Sequence, residues 1–152
     1  MVHSQRKGAR GERELVNLFK CWWPGGRDDE WGRRGVGQEG ADLVTPADFP
    51  WTIESKNWTE TRVRWFFHPT KYLRDWWEQA KAQTLPGRQP LLCMKVEGGW
   101  YALYNKRLSL PDNPMEAELK FNINPGERVY LTTLDEFMRY NEPHIFQLRR
   151  AI

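Results

Sequence analysis

The stretch WTIESKNW, residues 51–58, carries an acid and a base two positions apart, Glu54 and Lys56. Its aromatic and β-branched residues predict a strand, in which residues two apart project from the same face. Asp42 lies in another short extended run, ADLVTP at 41–46, and about five turn residues join the two runs. This arrangement predicts an antiparallel hairpin that sets Asp42 beside Glu54, so that both carboxylates reach one ion.

Such a group of side chains is suited to phosphodiester hydrolysis. Mg²⁺ takes oxygen ligands and keeps several waters, so Asp42, Glu54 and the Ser55 carbonyl would suffice to hold it. Lys56 would contact the attacking water or the scissile phosphate, where negative charge develops. Glu12 could ligate the ion through water or occupy a second metal position. A Glu/Lys pair alone is more often a surface ion pair, and the coincidence of the four residues favours the catalytic interpretation.

The first predicted helix runs from about Gln5 to Trp23, with Ser4 as its N-cap and PGG at 24–26 as its end. Glu12 falls on the apolar stripe of this helix, three residues before Leu15. An unpaired buried charge is costly, so a carboxylate aimed at the core predicts a functional partner.

Residues 25–40, GGRDDEWGRRGVGQEG, contain six glycines without periodicity, which predicts a mobile loop. Arg33 and Arg34 lie in it beside Gly35. Glycine lets backbone N–H groups approach a phosphate, and arginine binds phosphate bidentately. The segment is therefore a candidate DNA contact or, alternatively, an exposed connection.

The remaining elements complete a sheet. A basic and aromatic connection at 59–69 precedes a second predicted helix at 70–83, whose Gln79 looks toward the sheet as a supporting residue. QPLLCMKV, 89–96, is nearly all apolar, which is typical of a central strand covered on both faces. After the next strand, the residues 109–126 form a proline-rich insert.

RVYLTTLDEFMRY, 128–140, predicts a last strand and a short helix capped by Thr132 or Thr133. The fold class is α/β, with a central mixed β-sheet flanked by helices in one domain over 1–152. Its core covers about 5–105 and a C-terminal extension covers about 106–152.

Composition agrees with one globular domain. Hydrophobic residues make up 39% and charged residues 28% of the 152 residues, and no apolar run is long enough to span a membrane. The N-terminus lacks the apolar segment of a signal peptide, which predicts a cytoplasmic protein. The cysteines, Cys21 and Cys93, are expected in the core, and a structural zinc site is not expected.

The charge distribution suits a polyanion. The net charge is +3, and basic segments flank residues 35–53, which carry three acids and no base. Ordinary charge scatter would look similar. Nine tryptophans occur; Trp31, Trp58 and Trp65 lie in polar segments and are candidates for stacking on bases or for a subunit interface.

KGARGERELV, GADLV and WTIESKNW resemble the PD-(D/E)xK nuclease superfamily, and most closely the archaeal-type Holliday junction resolvases. The resemblance covers about residues 5–58 and implies that Glu12, Asp42, Glu54 and Lys56 are catalytic. It implies a restriction-endonuclease-like fold and a homodimer that cuts four-way DNA junctions by paired incisions with Mg²⁺ or Mn²⁺. Basic residues are expected to hold the DNA backbone: Lys7, Arg10, Arg13, Arg33, Arg34, Lys56, Arg62 and Arg64.

Two alternatives stay open. A nuclease of the same fold could act on flaps, nicks or ends in repair or phage DNA processing, because fold does not fix substrate. A non-catalytic module could bind branched DNA, although it would gain nothing from carboxylates among phosphates. Proteins of this superfamily are also carried by phages, and a phage protein would act in the cytoplasm of the host.

Overall fold

The computed structural model describes residues 2–35, 38, 40–68, 70–105, 117–119 and 126–143. In these ranges the helices are α1 (Val2–Trp22), α2 (Arg64–Phe67), α3 (Lys71–Ala82) and α4 (Leu134–Tyr140). The strands are β1 (Gly32–Arg33), β2 (Leu43–Val44), β3 (Trp51–Lys56), β4 (Gln89–Val96), β5 (Gly99–Tyr104), β6 (Ala117–Leu119) and β7 (Val129–Thr133). No described helix is long and apolar enough to cross a membrane.

The main sheet has five strands in the order β3-β4-β5-β7-β6. β3 runs parallel to β4, and the other neighbours are antiparallel. The predicted mixed sheet in a single α/β domain, typical of a restriction-endonuclease-like fold, is therefore confirmed. β4 has a strand on each side and helices on both faces, which is why its sequence is apolar almost throughout.

Alternation along β4 divides the core into two halves. Leu91 and Cys93 pack with residues of α1 and α4, whereas Leu92 and Met94 pack with residues of α2 and α3. All four side chains are fully buried. The sheet is thus a layer between two pairs of helices. Because β3 lies beside β4, its two faces are directed toward the same two halves of the core.

Threonine hydroxyls cap two of the helices, and the second of these caps was predicted from the sequence. The Thr70 hydroxyl accepts a hydrogen bond from the Leu73 N–H, and α3 begins at the next residue. The cap of α4 is Thr133, which resolves the alternative with Thr132. The predicted cap at Ser4 is wrong, because α1 already begins at Val2 and no glycine or proline interrupts it before Ser4.

The predicted hairpin between 41–46 and 51–58 is wrong in its pairing. β2 pairs antiparallel with β1, with Arg33 opposite Leu43, and β3 takes the parallel partner β4. β4 offers a six-residue ladder and two apolar faces, whereas β2 is only two residues long. The glycine-rich segment is consequently not a loop throughout, since it contains a 3₁₀ turn at Asp28–Glu30 and the strand β1.

Arg88 fixes the turn between β2 and β3 to the start of β4. Its guanidinium donates hydrogen bonds to the Thr45 hydroxyl at 2.6 Å and the Pro46 carbonyl at 2.8 Å, and a longer one to the Trp51 carbonyl. This partly buried junction replaces the strand pairing that the sequence predicted, and it holds β2 close to β3.

Three further predictions have mixed outcomes. Cys93 is buried, but Cys21 is exposed, because it lies on the solvent side of α1 near the end of that helix. β6 lies within the predicted proline-rich insert 109–126 and pairs with β7, which follows the insert. Residues 109–116 and 120–125 of the insert lie outside the described residues. The predicted C-terminal extension contributes β7 and α4 to the sheet and the core.

Candidate active site

Glu54 is a carboxylate buried near the end of β3. Its side chain is 2% exposed, on the face of the sheet that α3 covers, and Ile53 points to the opposite core as the alternation predicts. Neither of its oxygens accepts a well-formed hydrogen bond from the described residues. The Lys56 ammonium lies 3.1 Å from Oε1 as an ion-pair partner. Burial of this carboxylate is destabilising, and the ion pair with Lys56 offsets only part of that effect.

The protonation of Glu54 reflects this environment. Burial raises the pKa of its carboxyl group from 4.5 to about 7, and the negative charge of Asp42 acts in the same direction. The Lys56 ammonium opposes part of this shift. Perturbation by burial plus a neighbouring carboxylate is common at functional sites.

Asp42 stands beside Glu54 although their strands do not pair. Its Oδ2 accepts a hydrogen bond from the Ser55 N–H at 2.8 Å, and its carbonyl accepts one from the Arg34 N–H at 2.8 Å. The side chain thus links the residue that precedes β2 to the backbone of β3. The predicted proximity of the two carboxylates is found, and its physical cause is this side-chain bond rather than a strand ladder.

Lys56 projects from the same face as Glu54, and α3 holds its ammonium group. Nζ donates a hydrogen bond to the Gln79 Oε1 at 2.9 Å while it pairs with Glu54. Gln79 therefore has the supporting position expected from the sequence. Because an amide oxygen carries no full charge, Gln79 orients the lysine without neutralising it.

Glu12 contacts a different partner from those of Asp42 and Glu54. Its Oε2 accepts a hydrogen bond from the Arg33 Nε at 2.8 Å, and both side chains are partly buried. The partner that the sequence predicted for this inward carboxylate is thus an arginine of β1. The assignment of Glu12 as a catalytic residue or metal ligand stays a prediction.

The oxygen donors fit a hard divalent cation. Within the described ranges no three histidine, cysteine, aspartate or glutamate side chains converge on one point. Asp42 and Glu54 converge as a pair, and the Ser55 carbonyl belongs to the backbone between Glu54 and Lys56. Mg²⁺ is commonly held by one or two carboxylates and retains waters, and its charge would add to that of Lys56 in stabilising the ionised form of Glu54.

The predicted DNA-binding residues occupy two sides of this site. Lys7 and Arg10 line a cavity of about 320 Å³ together with Lys95, which the sequence did not single out. Arg13, Arg62 and Arg64 are exposed. On the other side, Arg33 pairs with Glu12, and Arg34 donates to the Ala41 carbonyl at 2.7 Å. Arg33 and Arg34 therefore each serve the structure, whatever else they bind.

Sequence reasoning missed the contact that fixes α1 to the site. Asn57 Nδ2 donates to the Lys7 carbonyl at 3.0 Å, and a Cβ on Gly11 would lie 2.9 Å from that same nitrogen. Glycine at position 11 is what allows α1 to approach the end of β3. The sequence shows a glycine within the helix at position 11 and an asparagine directly after Lys56. Neither residue type indicates that the two are in contact.

The fold and the site define a nuclease of the PD-(D/E)xK superfamily. The profile of the family described as "Phage putative PDDEXK endonuclease" matches residues 3–147, and the chain belongs to this family. A comparison with curated proteins gives no match. The family match confirms the superfamily and supports the phage origin that the sequence left open, and it extends through the C-terminal third that the resemblance did not cover.

Proposed function

We propose that the protein is a divalent-metal-dependent DNA endonuclease that acts on branched DNA, with the four-way junction as its main substrate. The observation that carries the proposal is the buried Glu54 carboxylate, which lies beside Asp42 and accepts no well-formed hydrogen bond. A fold that retains such a group pays for it in stability, and a bound cation would give it a function.

Asp42, Glu54 and the Ser55 carbonyl would hold Mg²⁺ or Mn²⁺. When bound, the ion would lower the pKa of a coordinated water and offset charge on the phosphate. Asp42 stays in position through the Ser55 N–H, and Glu54 stays in position through burial in the sheet. The ligand set is thus fixed by the backbone of β3, which is a rigid element of the core.

Lys56 supplies positive charge at the reacting phosphate. Its bond to Gln79 and its pairing with Glu54 hold the ammonium in one place on the α3 face. A positioned cation stabilises the negative charge that develops as the phosphodiester bond breaks, and it requires no reorganisation during the reaction. Gln79 is a positioning residue in this scheme.

Branched DNA is proposed because of the resemblance to Holliday junction resolvases and because basic groups lie on two sides of the site. Lys7 and Arg10, on α1, line a cavity that reaches Asn57, the residue after Lys56. On the other side, Arg33 ends β1, and the next residue, Arg34, donates a hydrogen bond from its N–H to the Asp42 carbonyl. Contacts with the DNA backbone on two sides of one cleft suit a substrate whose strands diverge. A homodimer with two sites would suit the two-fold symmetry of a junction and produce paired incisions. The site of action would be the cytoplasm of the host.

A substrate panel tests the proposal. Purified protein with Mg²⁺ would be incubated with a labelled four-way junction, a flap, a nicked duplex, a linear duplex and a single strand of matched sequence. The proposal expects metal-dependent paired cuts on the junction. Preferential cutting of the flap or the nick would assign the related repair-type nuclease, and tight junction binding without cutting in Mg²⁺ or Mn²⁺ would assign a non-catalytic binding module.

A further inference from the structure

An aromatic cleft opens directly beside Lys56. It has a volume of about 410 Å³, and its lining is formed by Gly8, Ser55, Lys56, Asn57, Trp58, Tyr72 and Trp76. The catalytic strand β3 thus forms one wall, α1 forms another, and the start of α3 forms the third. The volume lies within the usual range for sites that bind small molecules or parts of larger ligands.

The aromatic wall keeps ring surface exposed although its rings support one another. Trp58 contacts Tyr72 edge to face, with centroids 4.9 Å apart, and contacts Trp76 in the same manner at 5.8 Å. Tyr72 also stacks on the buried Trp65. Tyr72 is nevertheless 53% exposed and Trp58 is 37% exposed. Exposed aromatic rings that are already ordered lose little conformational entropy when a ligand stacks on them.

Gly8 leaves the cleft open on the side of α1. Glycine inside a helix is less favourable than alanine by roughly 0.5–1 kcal/mol, so packing usually explains it. Here a Cβ at position 8 would meet no heavy atom within 4 Å, in contrast to position 11. Packing within the protein therefore does not require Gly8, and the missing side chain keeps the cleft open on the side of α1.

Charge around the cleft favours a nucleic-acid strand as the occupant. Lys56 lies in its wall, and Lys7 contacts the Thr59 hydroxyl immediately after Trp58. Arg62 donates to the carbonyls of Thr59 and Thr61 and keeps its side chain exposed. Positive groups that follow a backbone next to aromatic rings that stack on bases are the usual combination for binding unpaired nucleic acid.

We infer that this cleft, formed by Gly8, Trp58, Tyr72 and Trp76, binds an unpaired base of the DNA substrate next to the scissile phosphate. The inference rests on the proposed nuclease function and deepens it, because it makes local unpairing part of what the enzyme recognises. A base stacked beside Lys56 would bring its own phosphate to the lysine, so branch points, where bases open easily, would be preferred over continuous duplex.

The test measures binding separately from cleavage. The full chain, in EDTA, would be titrated into a fluorescein-labelled 16-nucleotide oligothymidylate and into a labelled 16-base-pair duplex, with anisotropy as the readout. Two variants alter the cleft from different sides: Tyr72→Ala removes a stacking surface, and Gly8→Leu fills the space from α1. Phe67→Ala is the matched control, because this aromatic side chain is 77% exposed on α2 and does not line the cleft.

Each cleft variant should weaken oligothymidylate binding about 5- to 150-fold, the range expected for the loss of one stacked base. The ratio of single-strand to duplex affinity should fall with it, and Phe67→Ala should leave the ratio within twofold of wild type. Thermal denaturation verifies that each variant is folded. Equal losses for the strand and the duplex, or no loss in either variant, would overturn the inference.

The outcome is separable from that of the proposed function. A wild-type protein that cuts no DNA with metal, while both cleft variants lose single-strand affinity, would overturn the nuclease proposal and leave the base-binding cleft intact. A wild-type protein that cuts junctions, while both variants bind oligothymidylate like wild type, would overturn the cleft and leave the nuclease.

Discussion

Replacement of Glu54 by glutamine should make the metal-free protein more stable while it abolishes cleavage. The wild-type carboxylate is buried without well-formed hydrogen bonds beside a second carboxylate. Glutamine has the same shape, carries no charge, and can donate its amide hydrogens to Asp42. The substitution therefore removes a destabilising charge from the folded state and, in the same step, removes a proposed metal ligand.

The size and sign of the effect follow from the pKa of Glu54, which is raised from 4.5 to about 7 in the folded protein. Between these values the folded protein keeps a proton that the unfolded chain has released, so wild-type stability falls as pH rises through this window. The cost to the wild type is about 3 kcal/mol at pH 8 and less than about 1 kcal/mol at pH 5. The raised pKa already includes the opposing effect of Lys56, so the net gain expected for Glu54→Gln is about 3 kcal/mol at pH 8.

Thermal denaturation in EDTA at pH 5 and pH 8 measures this gain. A gain of about 3 kcal/mol corresponds to a rise of about 6–12 °C in Tm for a domain of this size, and the rise should fall below about 4 °C at pH 5. Glu60→Gln is the control, because Glu60 is an exposed glutamate in a turn and its replacement should leave Tm unchanged. A Glu54→Gln variant that is less stable than wild type at pH 8, or equally stabilised at both pH values, would refute the reasoning.

Added Mg²⁺ should reverse the order of thermal stability of wild type and Glu54→Gln at pH 8. Ligand that binds only the folded state raises its stability in proportion to the logarithm of its concentration. The Tm of wild type should therefore rise with Mg²⁺ at pH 8, whereas the Tm of Glu54→Gln should not follow. Equal responses of the two proteins would show that the ion binds elsewhere.

Three further changes test the surroundings of the site. Lys56→Ala should lower the single-turnover cleavage rate about 10²- to 10³-fold with metal binding retained, and Gln79→Ala should give a smaller loss of the same kind, measured with excess enzyme. Arg33→Ala should weaken junction binding and reduce the slope of log affinity against log salt by about one if Arg33 contacts a phosphate, and an unchanged slope would limit Arg33 to its bond with Glu12. Arg88→Ala should lower the free energy of unfolding by about 2–4 kcal/mol in urea titration, because three backbone and side-chain acceptors lose their donor, and a change below about 0.5 kcal/mol would contradict this role.

Periodicity in the sequence was sufficient to predict the central sheet and the helices that cover it. The apolar run of β4 and the threonine cap of α4 depend on local chemistry, so their positions agree with the structure. The partner of β3 could not be predicted in this way. Pairing depends on how much apolar surface each candidate strand buries. The longer β4 offers β3 more such surface than β2, which is nearer in sequence.

The grouping of Asp42, Glu54 and Lys56 was predictable because two of them share a strand face and the third lies close in sequence. The contact of Glu12 with Arg33 was not predictable. Arg33 lies on the strand β1, and the glycines around this strand predicted a loop instead. Among the tryptophans proposed for stacking, Trp31 and Trp65 are buried, and Trp58 is the exposed one. Its cleft depends on Gly8 and Tyr72, which come together only through the packing of α1 and α3 around β3.

The most direct test of the central claim is a single-turnover cleavage assay on a labelled immobile four-way junction, with wild type and Glu54→Gln side by side, with Mg²⁺ or EDTA. The account predicts paired incisions by wild type with Mg²⁺, none in EDTA, and none by Glu54→Gln, which should still bind the junction in a gel-shift assay. Cleavage by the folded glutamine variant at the wild-type rate would contradict the assignment of the buried carboxylate as the centre of the active site.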